Sequence, residues 1–412
     1  MSPAPLRVVT LPPALRAEAA LPFARQAFRR GAQLLELRTD LHAPGDVDPR
    51  ALAQVLPLLV SERERPVPPA WLAAARLVDL PVEGVLQSGG PQLLASHHAE
   101  RPLSTAEALA LWARPLPAGT HVKHVEPLGS PERLPQLLET QAALLARFGQ
   151  GRVTVLAMGA LALPARAVLA TRNALDYLAV GEGFRAAAGQ RLLEDAVREQ
   201  RAEQALRRGI LGTGIAHSRS PRIHRQPFDR IDLPEDAPVE ALVDALLPHY
   251  AGFAVTSPFK KRLARHVGSA LDAVNTLVRR GSGWEAFNTD FEGARAVLRR
   301  LAERELFVLG DGGASAALRA VAGEEGVGLR VLRRAEVEVP LRGCGVWTWP
   351  ERVELPPGLR FEGARVAVIA YGAPGRRIAE QIRRHGGTPV PLGAAWFIAQ
   401  ARRQRSLWET AT

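Results

Sequence analysis

Residues 252–293 read GFAVTSPFKKRLARHVGSALDAVNTLVRRGSGWEAFNTDFEG. FAVTSPFKK is a strand pattern running into a proline turn, with Thr256 and Lys260 at its end. AVNTLVRR and WEAFNTDFEG follow as short strands marked by Asn-Thr pairs. The stretch carries Lys260 and Lys261, two of only three lysines in the chain, against 50 arginines; the third is Lys123. Arginine cannot stand in for lysine where chemistry needs an amine that loses its proton or forms an imine, so the retained lysines are the first candidates for function. Asp290 opens a helix pattern after Asn-Thr. Its carboxylate either caps that helix by accepting backbone N–H bonds, or holds the Lys260 amine so that both reach one substrate hydroxyl. Spacing leaves both readings open.

At 412 residues, 47% of them apolar, the chain is long enough for two or three domains with their own cores. Cys344 is the only cysteine, which excludes an internal disulfide framework and a cysteine-based zinc site. The start, MSPAPLRVVTLPP, lacks a basic region followed by a long apolar run, and no stretch approaches ~20 apolar residues. The expectation is a cytoplasmic protein with no membrane partner. The formal charge of +11 would suit a nucleic-acid partner. The arginines, however, are scattered over helical faces such as EDAVREQRAEQALRR without interleaved aromatics, so no nucleic acid is expected. The same basic field suits small anionic substrates and a phosphorylated cofactor.

Upstream, eight apolar runs alternate with helix patterns: RVVTL, QLLELRTD, PLLVSER, RLVDLPVE, QLLASHH, THVKHVE, RVTVLAMG and ALDYLAVG. This alternation predicts a (β/α)8 barrel, an α/β fold, with an open doubly wound sheet as the alternative. The carboxyl ends of barrel strands carry the active site, and Glu36, Arg38, Arg63, His98, Lys123 and Arg166 fall there. Lys123, inside the apolar VKHV, would have its amine desolvated and its pKa lowered, as an imine-forming nucleophile requires. His98 has the range to move protons near neutral pH, and several arginines could clamp a carboxylate. The competing reading puts Lys123 on the surface of an edge strand and lets His98 fill space. Spacing does not choose between them.

Downstream of these runs, EDAVREQRAEQALRRG reads as a helix ending at Gly209. HSRSPRIH places Ser218 and Ser220 two apart, so both hydroxyls face one way in an extended loop, with Pro221 starting a helix; paired serines are also common caps. ELFVLGDGGASAALRAVA is a strand, a Gly-rich turn and a helix, the opening unit of a dinucleotide-binding fold. Gly310, Gly312, Gly313 and Ala314 stand where backbone N–H groups approach a pyrophosphate. Asp311 is awkward there, since a carboxylate repels phosphate unless it points away. About twenty residues on, GLRVLRRAEV ends in Arg333 and Arg334, where an NAD-binding fold usually places an acid. Two arginines favour a 2′-phosphate, hence NADP.

Two ordered sets of motifs resemble known families. ELRTD, SHH, VKHV, MGALALPAR and AAAGQ resemble the ELRxD, SxHDF, VK, MGxxGxxSR and SAPGQ patterns of type I 3-dehydroquinate dehydratase. That resemblance implies Lys123 as the imine-forming lysine and His98 as general acid/base. It puts Glu36, Arg38, Arg63, Arg166 and Gln190 at substrate-binding positions and involves no metal. Ala99 and Glu100 replace the family's Asp-Phe, and Pro81 stands where a carboxylate orients the histidine, with Asp79 nearby in the same run. HSRSPRIH, VTSPFK, AVNT and NTDFEG resemble the HSxSPxxHN, NVTxPxK, GAVNT and NTDxxG patterns of shikimate dehydrogenase, with Ala254 at that family's Asn. This second resemblance implies Lys260 and Asp290 as the catalytic pair. It implies Ser218, Ser220, Thr256, Asn275, Tyr371 and Gln400 as substrate ligands. PLGAAWFIAQA resembles the family's closing GxxMLxxQA helix, with Trp396 at the Met, and adds Gly393 to the cofactor contacts Gly310, Gly312, Gly313, Ala314, Arg333 and Arg334.

Together the resemblances imply a dehydratase-like barrel over 1–206 and a dehydrogenase substrate domain over 207–303, completed by 389–412. A Rossmann-like NADP-binding domain takes 304–388. The implied function is a bifunctional shikimate-pathway enzyme. It would dehydrate 3-dehydroquinate to 3-dehydroshikimate through a lysine imine, then reduce that product to shikimate with NADPH. The alternative is a shikimate or quinate dehydrogenase carrying a degenerate barrel.

Overall fold

Strand follows helix through the first two hundred residues, and the sheet they build is wholly parallel. The structure is a computed structural model that describes residues 4–13, 15, 17–84, 92–199, 206–224, 227–337, 340–353 and 355–410. The chain divides into two units, Met1–Tyr250 and Ala251–Thr412.

In the first unit the order is β1 (Leu6–Thr10), α1 (Ala17–Arg29), β2 (Leu34–Arg38), α2 (Pro49–Ala53), β3 (Leu58–Ser61), α3 (Pro69–Ala74), β4 (Ala75–Pro81) and β5 (Gln92–His98). It continues with α4 (Thr105–Leu111), β6 (His121–Pro127), α5 (Leu134–Phe148), β7 (Val153–Met158), α6 (Ala162–Ala170), β8 (Leu175–Ala179), β9 (Arg191–Leu192) and α7 (Leu193–Glu199). All eight predicted apolar runs carry a strand. The runs are nearly continuous in apolar residues because both faces are covered, as in other parallel sheets; β3 and β8 are buried along their whole length.

The strands pair in the order β7-β6-β5-β4-β3-β2-β1-β8-β9. In a flat sheet β7 and β8 would stand seven spacings apart, roughly 34 Å. Instead, Ala174 N donates to Val153 O at 2.7 Å and Leu175 N to Thr154 Oγ1 at 3.1 Å. Asn173 stitches the same seam with its side chain, accepting from Val155 N and donating to Val155 O, both at 2.9 Å. The sheet therefore curls until its seventh and eighth strands meet. One apolar cluster takes a side chain from each of the eight strands, among them Val8, Leu34, Leu94 and Leu156.

The same unit continues into β10 (Arg207–Gly212), α8 (Ser220–His224), β11 (Phe228–Asp232) and α9 (Val239–Leu246). The helix expected to run to Gly209 is not found. Its described part ends at Glu199, and Arg207–Gly212 pairs in parallel with β11, Gly209 opposite Asp229. The reason is electrostatic. Buried Arg207 donates to Asp229 from Nε at 2.7 Å and Nη2 at 2.8 Å and also engages Glu199. Arg191 meets Asp176 at 3.1 Å and the same Glu199, and Tyr250 Oη donates to Asp229 at 2.7 Å. Charges that look solvent-facing in a helix pattern instead satisfy one another inside.

The second unit holds β12 (Tyr250–Val255, starting at the boundary), α10 (Lys260–His266), β13 (Thr276–Arg280), β14 (Gly283–Phe287) and α11 (Asp290–Leu301). After these come β15 (Glu305–Leu309), α12 (Gly313–Ala322), β16 (Gly328–Leu332), β17 (Cys344–Trp347), β18 (Arg365–Val368), α13 (Gly372–Arg384), β19 (Thr388–Pro391) and α14 (Gly393–Glu409). β12, β13 and β14 pair antiparallel, and a separate five-stranded parallel sheet runs β16-β15-β17-β18-β19. α11, α12 and α14 supply one apolar cluster with β15 and β17, among them Val297, Leu318, Val308, Val346 and Trp396. A second cluster joins Ile378 and Ile382 of α13 to Trp347, Trp349, Leu359 and Phe361. Among the described residues, no helix is long and apolar enough to cross a membrane.

α14 is seated by two indoles meeting two glycines. Trp408 lies over Gly252 and donates from Nε1 to Leu277 O at 2.9 Å, and Trp396 lies over Gly293, where a Cβ would come within 2.7 Å of the ring. A methyl group at Gly252 would collide with both the Trp408 ring and the Leu277 carbonyl. Gly252→Ala is therefore expected to destabilise the second unit by about 2 kcal/mol or more, read as a lower urea midpoint in tryptophan fluorescence.

Candidate functional site

Seven predicted residues converge on one pocket of the first unit. Glu36, Arg38, Arg63, His98, Lys123, Arg166 and Gln190 line it together with Thr10, Val125, Leu156, Met158, Tyr177, Ala186 and Ala187. Lys123 sits inside β6, 2% exposed. Its Nζ donates to Asp79 Oδ2 at 2.5 Å and lies 3.4 Å from Tyr177 Oη. Asp79, on β4, is wholly buried, and the same Oδ2 accepts from Arg63 Nη2 at 2.7 Å. Burial alone would raise the Asp79 carboxyl; the Lys123 and Arg63 cations outweigh it and hold the acid well below the usual carboxylate range. Burial lowers the Lys123 amine, opposed by Asp79 and reinforced by Arg63. The surface reading of Lys123 is thus excluded.

Asp79 belongs to the lysine and not to His98. β5 and β6 run in register with Ser96 opposite Lys123 and His98 opposite Val125, so His98 sits two residues further along the same face. It is exposed at the pocket edge, and its imidazole makes no hydrogen bond among the described residues. Loss of water and the Lys123 and Arg63 cations pull its imidazole down, to about 3; because solvent reaches the residue, part of that depression is screened.

Glu36 accepts from Thr10 Oγ1 at 2.6 Å and Ser61 Oγ at 2.8 Å. Arg38 is turned onto Asp40, from Nε at 3.0 Å and Nη2 at 2.5 Å. Gln190 Oε1 accepts from Ala186 N at 2.8 Å, which folds the AAAGQ loop back on itself. Arg166 departs from its predicted place: it lies within α6, not at a strand end, and reaches back to Ala157 O at 2.9 Å. It is 5% exposed, burial lowers it to about 10, and its Nη1 has no hydrogen-bond partner among the described residues. A buried guanidinium with an unused N–H is suited to a carboxylate or another anion. Also in the first unit, the Ser218 hydroxyl donates to the Ser220 hydroxyl at 3.3 Å.

The second unit holds the other lysine site. Lys260, the first residue of α10, donates from Nζ to Asp290 Oδ2 at 2.8 Å. Gln400 of α14 donates to Oδ1 of the same carboxylate. Asp290 is the first residue of α11 and its carboxylate takes side chains, so the capping reading of NTD does not hold; Asn288 Oδ1 instead accepts from Asp290 N at 3.0 Å. Asn275 Oδ1 is committed internally, accepting from Thr289 N at 2.7 Å and Thr289 Oγ1 at 3.0 Å. Thr256 closes the turn before Lys260, its carbonyl accepting from Phe259 N at 3.0 Å. Tyr371 precedes α13 and rests on Phe397, ring centroids 4.9 Å apart.

The Gly-rich turn lies between β15 and α12. Gly310 has φ +113°, and a side chain there would meet Thr348 and Trp349. Among the described residues, nothing lies within 4 Å of a Cβ added at Gly312 or Gly313. The turn thus leaves an open approach to the start of α12, with the helix N–H groups available to a pyrophosphate. Ala314 follows in the first turn of that helix. Gly393 starts α14 so close to the Ala370 carbonyl that a Cβ would overlap it. Arg333 is engaged by Asp311, whereas Arg334 makes no hydrogen bond or ion pair among the described residues.

No protein-family model matches the chain. Among solved structures it is similar to dehydroquinate dehydratase and shikimate dehydrogenase from S. pombe, at 16% identity and TM-score 0.38 over 98% of this chain and 96% of that one. It is also similar to shikimate 5-dehydrogenase from Thermus thermophilus in complex with NADP(H) and shikimate, at 23% identity and TM-score 0.43 over 50% of this chain and 93% of that one. Among curated proteins it is 36% identical over 143 residues to shikimate dehydrogenase (NADP(+)) of Syntrophobacter fumaroxidans, 30% of this chain and 49% of that protein. It spans about half the length of that relative. It is 32% identical over 199 residues to shikimate dehydrogenase (NADP(+)) of Anaeromyxobacter sp. (strain Fw109-5), 40% of this chain and 67% of that protein. The chain belongs to the shikimate dehydrogenase family.

Several residues that shape the sites of this shikimate dehydrogenase family member are not among the candidate site residues of the sequence, although Gly293 and Trp396 stand inside the NTDFEG and PLGAAWFIAQA motifs. Gly293 and Trp396 fix the approach of α11 to α14, and hence of Asp290 to Gln400. Gln404, one turn on, donates to Thr276 Oγ1 at 3.1 Å and locks the same helix to β13. In the barrel-like sheet, Tyr177 and Thr10 line the pocket unannounced, although the alternation in ALDYLAVG marks Tyr177 as facing away from Asp176 and Leu178. Asp79 stands out as a charge inside an apolar run, which needs a buried counter-charge.

Asp79→Asn leaves Lys123 and Arg63 without their counter-charge and is expected to cost on the order of 3–5 kcal/mol, measured by urea denaturation. Lys123→Met leaves Asp79 on Arg63 and should cost less. Since the folded acid lies below its ordinary value of 3.8, the unfolded chain takes the proton first as pH falls. The stabilisation is therefore complete above about pH 5 and drains away in stronger acid, and Asp79→Asn should flatten that acid-side loss.

Proposed function

We propose that the chain is a bifunctional enzyme. Its second unit carries an NADP-dependent shikimate dehydrogenase centre, and its first unit a 3-dehydroquinate dehydratase whose sheet closes as a (β/α)8 barrel. The observation that carries the dehydrogenase reading is the Lys260–Asp290 contact at 2.8 Å, with Gln400 on the remaining carboxylate oxygen. NADPH, held by the turn at Gly312 and Gly313 and by Arg334, would supply hydride for the ketone carbon of 3-dehydroshikimate. Lys260 Nζ donates the proton to the oxygen that becomes a hydroxyl, while Asp290 holds that amine in aim and Gln400 fixes the carboxylate. Thr256, Asn275 and Tyr371 are assigned to the substrate's polar groups. The open turn at Gly312 and Gly313 fits a pyrophosphate, and Arg334, unpaired among the described residues, is a cation for a 2′-phosphate.

The dehydratase reading is favoured by a lysine buried beside a carboxylate in a pocket rich in arginine. Lys123 Nζ adds to the C3 ketone and water leaves, giving an imine that draws electrons from the adjacent C–H bond. His98 accepts that proton and returns one to the departing hydroxyl, which leaves as a second water; one water then hydrolyses the product imine, releasing the enone and restoring the Lys123 amine, so one water is lost overall. Arg166 offers to the substrate carboxylate its Nη1, which has no hydrogen-bond partner among the described residues. The seam of hydrogen bonds between β7 and β8 supports barrel closure.

Two assays on the purified chain test this. With 3-dehydroshikimate and NADPH, loss of nicotinamide absorbance should be seen, and Asp290→Asn should lower kcat by roughly 10²–10⁴-fold. With 3-dehydroquinate and borohydride, mass spectrometry should find a reduced adduct on Lys123 that is absent from Lys123→Met. No reduction would end the dehydrogenase reading; no adduct and no enone product would reduce the barrel to a scaffold.

A further inference from the structure

Asp311 is the residue of the nucleotide turn that the family pattern does not explain. Its Oδ2 accepts from Arg333 Nη2 at 2.9 Å and from Nε at 3.1 Å, and its Oδ1 accepts from Arg319 Nη1 at 2.5 Å. Arg333 follows β16, the strand end where dinucleotide folds read the adenosine ribose. Its Nη1 also lies 3.7 Å from Glu336 Oε1, so this guanidinium faces two carboxylates. Arg334, one residue on, faces none at ion-pair distance among the described residues.

The geometry points to Asp311 as the residue that sets nucleotide selectivity, by engaging Arg333 and leaving Arg334 alone to meet a 2′-phosphate. The inference rests on the reading of this turn as the nucleotide site. A phosphate monoester brings about −1.5 to −2 charges at neutral pH and is best held by a guanidinium fork. To recruit Arg333 it must displace Asp311, and the displaced carboxylate stays close enough to repel it. NAD has only hydroxyls at that position, so it gains nothing from Arg333 and loses nothing to Asp311. The carboxylate therefore weakens NADP binding selectively and brings the two affinities closer together than two adjacent arginines would suggest. The Arg333–Asp311 pair is exposed, and exposed pairs are weak, so the effect is several-fold.

The test is equilibrium titration of the full chain with NADP+ and NAD+ by calorimetry at one fixed ionic strength. The proteins are wild type, Asp311→Asn, Arg333→Ala and the double variant. Asp311→Asn should tighten NADP+ about three- to fivefold and shift NAD+ by less than about twofold. In the Arg333→Ala background the same substitution should move NADP+ by less than about twofold, because the effect runs through that side chain. Equal tightening of both nucleotides would overturn the proposal and make Asp311 a simple repeller of pyrophosphate. An undiminished effect without Arg333 would overturn it too. If wild type binds neither nucleotide, the nucleotide-site reading itself fails; if it binds both and the ratio is unmoved by Asp311→Asn, only the role given to Asp311 fails.

Discussion

Each unit is arranged around a lysine amine held against a carboxylate, and the two contacts differ in how far water reaches them. Lys123 and Asp79 meet at 2.5 Å with side chains 3% and 0% exposed, whereas Lys260 and Asp290 meet at 2.8 Å with side chains 30% and 11% exposed. In the first case the loss of hydration is the dominant cost. It is offset only because Arg63 adds a second cation to the same carboxylate oxygen and neighbouring strands hold these groups in register. Burial there favours an uncharged amine, the form a nucleophile needs. In the second case water screens the pair, so a third polar group can join it at little cost. The same two residue types thus give a desolvated amine in one place and a solvent-screened one in the other.

What keeps these contacts in place is packing that leaves no room for alternatives. α14 is anchored at two points where an indole lies on a glycine, Trp408 on Gly252 and Trp396 on Gly293. Between those anchors Gln400 and Gln404 project one turn apart, one to Asp290 and the other to Thr276. Asn275 has its carbonyl oxygen committed to Thr289, so the segment before α11 is set from within. In the first unit the corresponding rigidity comes from buried charge. Arg191, Glu199, Arg207 and Asp229 form a chain of ion pairs that ties the end of α7 to β10 and β11.

The strand runs and the pocket residues are readable because they depend on local pattern. Buried parallel strands announce themselves as short apolar runs, but a charged residue inside such a run, as with Lys123, reads equally as buried or as lying on an exposed edge until its partner Asp79 is placed. Sequence and structure part where a distant partner decides the outcome. Arg207 and Arg208 look like the exposed face of a helix, yet their strand is stabilised by Asp229 and Glu199, residues distant along the chain or hidden in the pattern. Asp79 stands in sequence near the position that would orient His98, but strand register delivers it to Lys123. Arg166 follows an apolar run and reads as its end, while it is α6 that carries it to the pocket.

Side-chain periodicity, backbone freedom and residue chemistry act over a few positions. They suffice for the eight strands of the first sheet, the two lysine-bearing motif sets and the Gly-rich turn, all of which stand in the sequence alone. Tertiary structure decided which carboxylate each lysine receives, that β7 meets β8 through Asn173, and that Asp311 turns to Arg333 and Arg319. Those outcomes depend on distances between residues far apart in the chain, where a shift of one strand position reverses the face a side chain presents.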